Sequence, residues 1–292
     1  MDTNTEGRRY FLGMDVGSTT VKMVVVDTKK DEILWQDYQR HETKQPEKCL
    51  EFLKRIHADL PAVNSENTRA FITGSGGKNV GRHIGAKFVQ EVNAVCLAVE
   101  KLYPQAGSVI ELGGQDAKII VFKEDPETGR KKKIPSMNDK CAGGTGAVID
   151  KINAKLRIPA DELCEQGYNG VKLHHVAGKC GVFAETDINS LQKQGIPNDE
   201  LMASLFEAIV GQNLSVLTRG HTLRPHVLLL GGPNCYVRGM REAWEENIPL
   251  VWKEREFPLP EGVEPKSLIK VPDNAQYFAA IGAVEYGYDE DD

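Results

Sequence analysis

The chain contains one sequence pattern twice, as MDVGSTTVKMVVV at residues 14–26 and as IELGGQDAKIIVF at residues 110–122. The two copies align without a gap at a constant offset of 96. In each copy an acidic residue lies at the end of an apolar strand, a short turn with glycine follows, and a second apolar strand carries a lysine near its start. The repetition predicts an internal duplication, with the same strand–turn–strand unit opening each half.

Around these two units, apolar runs of strand length alternate with helical patterns, which predicts an α/β protein. The predicted strands are residues 10–14, 21–26, 33–38, 69–73, 108–112, 118–122, 134–137 and 227–230. The predicted helices are residues 46–60, 92–102, 144–156, 159–166, 185–194, 199–219 and 237–247, with a last helix near the C-terminus.

The length of the chain predicts two lobes with a ligand cleft between them. Single cores stop growing at roughly 250–300 residues, and this chain has 292. We expect a first lobe over residues 1–104, completed by the C-terminal helix 274–288, and a second lobe over residues 105–273. Residues 289–292 form an acidic tail, DEDD.

Composition argues against several classes of function. There are 36 Lys and Arg against 42 Asp and Glu, a net charge of -6, so the chain lacks the basic footprint of a nucleic-acid-binding protein. No window approaches the ~20 apolar residues of a membrane span, and the start lacks an apolar secretory core. We therefore expect a cytoplasmic protein whose cysteines, at positions 49, 96, 141, 164, 180 and 235, are thiols in a reducing compartment.

The two glycine-containing turns are candidate phosphate-binding loops. Glycine exposes backbone N–H groups to an anion, and hydroxyl side chains add further donors. A single such turn is usually only a turn, but two copies in homologous lobes can bind a polyphosphate from both sides, with carboxylates placed for a metal ion. The candidates are Asp15, Gly17, Ser18, Thr19, Thr20 and Lys22 in the first copy, and Glu111, Gly113, Gly114, Gln115 and Asp116 in the second.

Two of these features have alternative interpretations. Lys22 either adds a point charge for the phosphates or faces solvent. A third turn, LLLGGPN at residues 228–234, is either a plain strand-to-helix connection or a contact for the base or ribose through Gly231 and Gly232.

The order DVGSTTVK, ELGGQDAK and LLLGGPN, closed by a C-terminal helix, resembles the actin, sugar-kinase and Hsp70 ATPase superfamily. Within it, NDKCAGGTG at 138–146, GKCGVFAETDI at 178–188 and NAQYFAAIGA at 274–283 resemble the BadF/BadG/BcrA/BcrD-type ATPases. These are activators of 2-hydroxyacyl-CoA dehydratases and benzoyl-CoA reductases. The similarity runs from Leu12 to Tyr286, although GGPN is more similar to the longer activase-like members.

The resemblance implies a homodimer with one 4Fe-4S cluster between the subunits, held by Cys141 and Cys180 of each chain. Both cysteines precede predicted helices, and a helix N-terminus suits thiolates and an anionic cluster. The resemblance also implies ATP or ADP with Mg²⁺, served by Asp15 and Glu111. Asp116 or Gln115 would position the attacking water, unless Asp116 only caps its turn.

A glycine-rich segment follows Cys141 and is predicted to approach the nucleotide and to couple it to the cluster. It comprises Gly143, Gly144, Thr145 and Gly146. The alternative is that these small residues only allow close helix packing.

The function implied is that of an ATP-driven one-electron reductase in anaerobic metabolism. ATP is needed because each 59 mV of uphill one-electron transfer costs about 1.4 kcal/mol. Ferredoxin or flavodoxin would be the donor, and the acceptor an iron-sulfur enzyme: a dehydratase, a benzoyl-CoA reductase-like enzyme or a double-cubane-type protein. The alternatives are a small-molecule kinase of the same superfamily and a non-catalytic, nucleotide-dependent scaffold.

Overall fold

The computed structural model describes residues 8–125, 127, 129, 131–138, 142–178 and 180–290. Its internal contacts divide the chain into two units. Unit 1 comprises Met1–Pro104 and Gln276–Asp292, and unit 2 comprises Gln105–Ala275. None of the helices in the described ranges combines the length and the apolar character that crossing a membrane requires.

Unit 1 contains a five-stranded mixed sheet. Its strands are β1 Tyr10–Val16, β2 Thr20–Asp27, β3 Glu32–Arg40, β4 Thr68–Thr73 and β5 Lys87–Phe88, in the spatial order β3-β2-β1-β4-β5. The first three strands form an antiparallel meander, and β4 and β5 continue the sheet in parallel with β1. Strand β1 is buried along its whole length, as its apolar sequence requires of a central strand.

Unit 2 repeats this sheet. Its strands are β6 Ser108–Leu112, β7 Ala117–Glu124, β8 Lys131–Asn138, β9 Val227–Leu230 and β10 Ile269–Lys270, in the order β10-β9-β6-β7-β8. The directions match those of unit 1 strand by strand. The register matches as well, because Asp15 pairs with Lys22 and Glu111 with Lys118. The predicted duplicated α/β fold is therefore confirmed.

Helices pack against these sheets. They are α1 Gln45–Asp59, α2 Gly77–Ile84, α3 Glu91–Leu102, α4 Gly146–Leu156, α5 Ala160–Glu165, α6 Gly181–Lys193, α7 Asn198–Val216, α8 Gly232–Tyr236, α9 Arg238–Glu254 and α10 Phe278–Tyr288. In unit 1, helix α10 lies very close to β1 and α3. A Cβ on Gly13 would be 2.2 Å from the carbonyl oxygen of Ala280, and one on Gly282 would be 1.6 Å from that of Ala94.

Several predicted boundaries are wrong, and packing explains the larger differences. Helices α2 and α8 were not predicted, because their first residues are glycine-rich and suggest turns. Helix α9 continues through Pro249 to Glu254, since it carries Trp252, a buried side chain whose Nε1 donates to the carbonyl oxygen of Leu223 at 2.6 Å. Helix α6 begins at Gly181 rather than at residue 185, and α10 begins at Phe278 rather than at 274.

Candidate functional site

The first glycine turn, loop 1 (residues 17–20), joins β1 to β2 and is fixed by two distant side chains. Gly17 N donates to Thr20 O at 2.9 Å and closes the turn. Gly17 O accepts from Gln45 Nε2 at 2.8 Å and lies 3.2 Å from His41 Nε2. The backbone N of His41 donates to Thr19 O at 3.2 Å. The turn is therefore held in one shape, as a preformed anion-binding loop requires.

The second glycine turn, loop 2 (residues 113–116), joins β6 to β7 in the same geometry. Gly113 N donates to Asp116 O at 2.9 Å, which is the loop 1 bond moved by the constant offset. A Cβ on Gly113 would lie 2.2 Å from Asp116 Oδ1, so a larger residue there would require the Asp116 side chain to move. Gly114 is half-buried and Gln115 is exposed. The two candidate phosphate loops are thus structural equivalents.

Each turn follows a buried carboxylate that retains an unsatisfied oxygen. Asp15 Oδ2 lies 2.7 Å from Lys22 Nζ, while Asp15 Oδ1 has no hydrogen-bond partner. Glu111 Oε2 lies 3.3 Å from Lys118 Nζ, but not in hydrogen-bonding geometry. Buried oxygens normally have partners, and hydrated Mg²⁺ commonly binds through one or two carboxylates. Asp15 and Glu111 therefore each offer a carboxylate oxygen of the kind that binds Mg²⁺.

The lysines beside these carboxylates are also placed alike. The side chain of Lys22 is 15% exposed and pairs with Asp15, so the alternative that it faces solvent is wrong. Lys118 is buried, with its Nζ 2.5 Å from Asp116 Oδ2. Lys118 is not among the site residues predicted from the sequence, although its alignment with Lys22 provides the signal. Asp116 is therefore held by a buried cation, and its backbone oxygen closes the turn.

The strand on the other side of β1 and of β6 ends in an equivalent glycine. Gly74 follows β4 and Gly231 follows β9, and both have φ of +87°. A Cβ would lie 2.4 Å from Val16 O at Gly74, and 2.1 Å from Leu112 O at Gly231. The turn at Gly231 and Gly232 is thus a strand-to-helix connection that has a counterpart in unit 1. A role in holding base or ribose stays a prediction.

The glycine-rich segment before α4 is packed against loop 2. Gly146 N donates to Gly113 O at 2.9 Å, and Ala147 N donates to Gly114 O at 2.7 Å. Ala142–Gly144 forms a 3-10 turn, after which the buried Thr145 caps α4. A Cβ on Gly144 would lie 2.8 Å from Asn213 Nδ2. Packing therefore explains Gly144 and Gly146, and contact of the segment with a nucleotide stays a prediction.

Of the two predicted cluster ligands, Cys180 lies at the N-cap of α6, and Cys141 lies outside the described residues. Cys180 has extended backbone and a half-buried, free thiol without a capping hydrogen bond. A Cβ on the next residue, Gly181, would lie 3.3 Å from Gly143 Cα. The residue after Cys180 therefore packs against Gly143, which belongs to the glycine-rich segment before α4.

Two exposed apolar side chains lie beside Cys180. Val182 and Phe183 follow it on α6 and are each 62% exposed, which is unusual for apolar side chains so close together. Within the described ranges, no three His, Cys, Asp or Glu side chains are grouped as a complete metal site. Among the described residues, Cys180 is the one predicted cluster ligand, so these residues contain at most part of a ligand set. Cys49, by contrast, is buried, and burial raises its pKa to about 11.

Helices α4 and α6 are joined by an ion-pair cluster. Glu185 of α6 lies 2.5 Å from Lys151 Nζ and 3.3 Å from Lys155 Nζ, both on α4. The Lys151 ammonium lowers the pKa of Glu185. Asp187 of α6 accepts from the backbone N of Ala177 at 2.8 Å, before Cys180. One set of contacts therefore runs from loop 2 through α4 to the helix that Cys180 caps.

The chain is similar to one family of ATPases along most of its length. The sequence model of the BadF/BadG/BcrA/BcrD ATPase family matches residues 12–287. The (R)-2-hydroxyglutaryl-CoA dehydratase activating ATPase of Acidaminococcus fermentans is 28% identical over 283 residues, 96% of this chain and 97% of that protein.

Two solved structures are also similar over almost the whole chain. Component A of that A. fermentans dehydratase has a TM-score of 0.77 at 26% identity, covering 96% of this chain and 98% of its own. The activator of the 2-hydroxyisocaproyl-CoA dehydratase from Clostridium difficile, with bound ADPNP, has a TM-score of 0.76 at 25% identity, covering 96% and 94%.

Proposed function

Because the chain belongs to the BadF/BadG/BcrA/BcrD ATPase family, we propose that it is an ATP-dependent activator that delivers one low-potential electron to a partner iron-sulfur enzyme. The observation that carries this proposal is the contact path in unit 2. Loop 2 bonds to the start of α4, and Glu185 joins α4 to α6, the helix capped by Cys180. A nucleotide loop and a candidate cluster ligand are thereby linked by a few direct contacts.

The chain's own groups supply most of what ATP hydrolysis requires. Loop 1 and loop 2 would each offer backbone N–H groups to phosphate, and Asp15 and Glu111 are each proposed as carboxylate ligands of hydrated Mg²⁺, which when bound neutralises phosphate charge. Asp116 would orient the attacking water, and Lys118 fixes the Asp116 carboxylate at 2.5 Å. His41 and Gln45 keep loop 1 in its binding shape.

Replacement of Asp116 tests this half of the proposal. Asp116→Asn should lower ATP turnover by roughly 10²–10⁴-fold, the usual effect of removing a group that handles the attacking nucleophile. Nucleotide affinity, measured by titration calorimetry, should change by less than about threefold. Asp161→Asn, an exposed position on α5, is the matched control. Loss of affinity with normal turnover per bound nucleotide would contradict the assigned role.

Cys180 and Cys141 are the proposed thiolate ligands, two from each of two copies of the chain. A 4Fe-4S cluster supplies a one-electron carrier when bound. The exposed Val182 and Phe183 beside Cys180 support association of two copies there, since adjacent exposed apolar side chains commonly mark interfaces. The names of the relatives point to a CoA-thioester dehydratase or a related enzyme as acceptor. Ferredoxin or flavodoxin is the proposed donor.

Glu185 is proposed to transmit nucleotide-dependent displacement of α4 to α6. Glu185→Gln weakens both ion pairs and should lower the electrons delivered per ATP hydrolysed by several-fold. ATP affinity should not change, because Glu185 does not contact the loops. Glu162→Gln, an exposed position on α5, removes the same charge as a control. The coupling role is wrong if the ratio of electrons to ATP is the same in all three proteins, measured with reduced donor and a low-potential acceptor dye.

A further inference from the structure

Unit 1 contains a strongly basic groove that the proposed function does not use. It is an open groove of about 660 Å³ lined by five cationic side chains, Arg8, Arg69, Lys78, Arg82 and Lys87, and by Phe88. No loop 1 residue lines it. The chain as a whole has a net charge of -6, so this concentration of positive charge is local. A groove of one charge sign favours ligands of the opposite sign.

An acidic residue of the same chain already lies against this basic groove. Glu290 Oε2 is 2.9 Å from Arg69 Nη2, and Glu290 Oε1 is 2.5 Å from Lys87 Nζ. Arg69 Nη1 also donates to the backbone oxygen of Glu290 at 3.1 Å. The Glu290 carboxylate raises the pKa of Lys87. The groove therefore contacts both the side-chain carboxylate and the backbone carbonyl of Glu290, two groups that any acidic peptide also carries.

Glu290 contacts only part of the groove. Lys78 and Arg82 lie one turn apart on α2 and are exposed. Lys78 Nζ lies 5.1 Å from the centre of the Phe88 ring. In the described part of the chain, neither Lys78 nor Arg82 forms an ion pair with a carboxylate. Positive charge therefore continues along α2 beyond the contacts of Glu290.

A cavity with both apolar and polar lining opens beside the basic groove. It has a volume of about 480 Å³, shares Arg8, Arg69, Ala70 and Gly85 with the groove, and contains apolar side chains such as Leu12 and Ile56. A peptide with carboxylates in the basic groove could place one apolar side chain in this cavity. Inorganic phosphate has no apolar group that could occupy this cavity.

We propose that the basic groove docks an acidic segment of a partner protein and that Glu290 is its intramolecular competitor. Charge spread along an open groove, contact with a backbone carbonyl and the adjoining cavity favour a peptide over a phosphate. A segment that displaces Glu290 would gain the ion pairs with Arg69 and Lys87 and would add pairs with Lys78 and Arg82. The proposal is independent of the redox function.

The probe for this proposal is fluorescein-labelled hexaglutamate, with binding to the full chain followed by fluorescence anisotropy at low ionic strength. Glu290→Gln should tighten binding about three- to tenfold, since a competitor that occupies the site lowers the apparent affinity by the free fraction. The double variant Lys78→Glu with Arg82→Glu should weaken it at least tenfold. Lys29→Glu with Lys30→Glu, an exposed pair elsewhere in unit 1, is the matched control and should differ from wild type by less than twofold.

Unchanged urea midpoints will show that the variants are folded, since the substituted lysines and Arg82 are all exposed. The proposal is overturned if hexaglutamate binds none of the proteins, or binds the Lys78/Arg82 variant as well as wild type. It is also overturned if inorganic tripolyphosphate binds in a groove-dependent way and hexaglutamate does not, because the groove would then be a phosphate site.

Discussion

Replacing Gly231 by alanine should destabilise unit 2 far more than the same change at an unobstructed glycine. Gly231 has φ of +87° and ψ of 159°, a conformation almost confined to glycine that costs a residue with a Cβ about 1–3 kcal/mol. The added Cβ would also lie 2.1 Å from Leu112 O and 2.8 Å from Leu112 C. These are backbone atoms, so β9 and β6 must separate, and overpacking of this kind costs about 1–3 kcal/mol. We expect a total loss of about 2–6 kcal/mol.

Gly195→Ala is the matched control for this experiment. Gly195 has φ of +82°, and a Cβ added there would have no other atom within 4 Å, so only the conformational cost of about 1–2 kcal/mol applies. Urea unfolding can be followed by the fluorescence of Trp244 and Trp252, both buried in unit 2. Gly74→Ala should behave like Gly231→Ala in unit 1, because its Cβ would lie 2.4 Å from Val16 O. Equal losses in Gly231→Ala and Gly195→Ala would refute the close approach of β9 to β6.

Three further predictions concern charge and burial. Arg9 lowers the pKa of Asp27, so Asp27→Asn should be less stable than wild type at neutral pH. The difference in urea midpoint between the two proteins should shrink as the pH falls below about 4. There Asp27 of the wild type becomes protonated, first in the unfolded and then in the folded chain. Cys49, whose pKa burial raises to about 11, should react with iodoacetamide at pH 8 much more slowly than the half-buried Cys164, as mass spectrometry of labelled peptides would measure. Equal rates would contradict the burial of Cys49. Lys118→Gln should lower the free energy of unfolding in urea by about 3 kcal/mol, because it leaves the Glu111 and Asp116 carboxylates without their buried counter-charge. A loss below about 1 kcal/mol would show that these ion pairs do not form.

The features that the sequence predicted are those encoded by neighbouring residues. Apolar runs flanking a glycine turn are local signals, so the strands around loops 1 and 2 and their duplication could be recognised directly. The positions of the loops along β1 and β6 follow from the same pattern. The cysteines are different, because nothing in their spacing places Cys141 and Cys180 at one site, and only the similarity to a family suggested that both hold one cluster.

The features that the sequence did not predict depend on contacts between distant residues. His41 and Gln45 reach Gly17 O from 24 and 28 residues away, and neither belongs to a motif. Gly74 and Gly231 are equivalent, but their spacing differs from that of the two loops, so a gap-free alignment could not pair them. Helix α6 begins early at Gly181 because a residue without a side chain can rest on Gly143, which is a tertiary effect.

The most direct test of the electron-transfer function is the iron and acid-labile sulfide content of the protein prepared without oxygen. Wild type and Cys235→Ser, which alters a cysteine outside the family motifs, should each hold about four iron and four sulfide per two chains. Cys141→Ser and Cys180→Ser should hold almost none while binding ATP normally. An iron-free wild-type protein that binds ATP, or full iron and sulfide content in Cys180→Ser, would contradict the electron-transfer function.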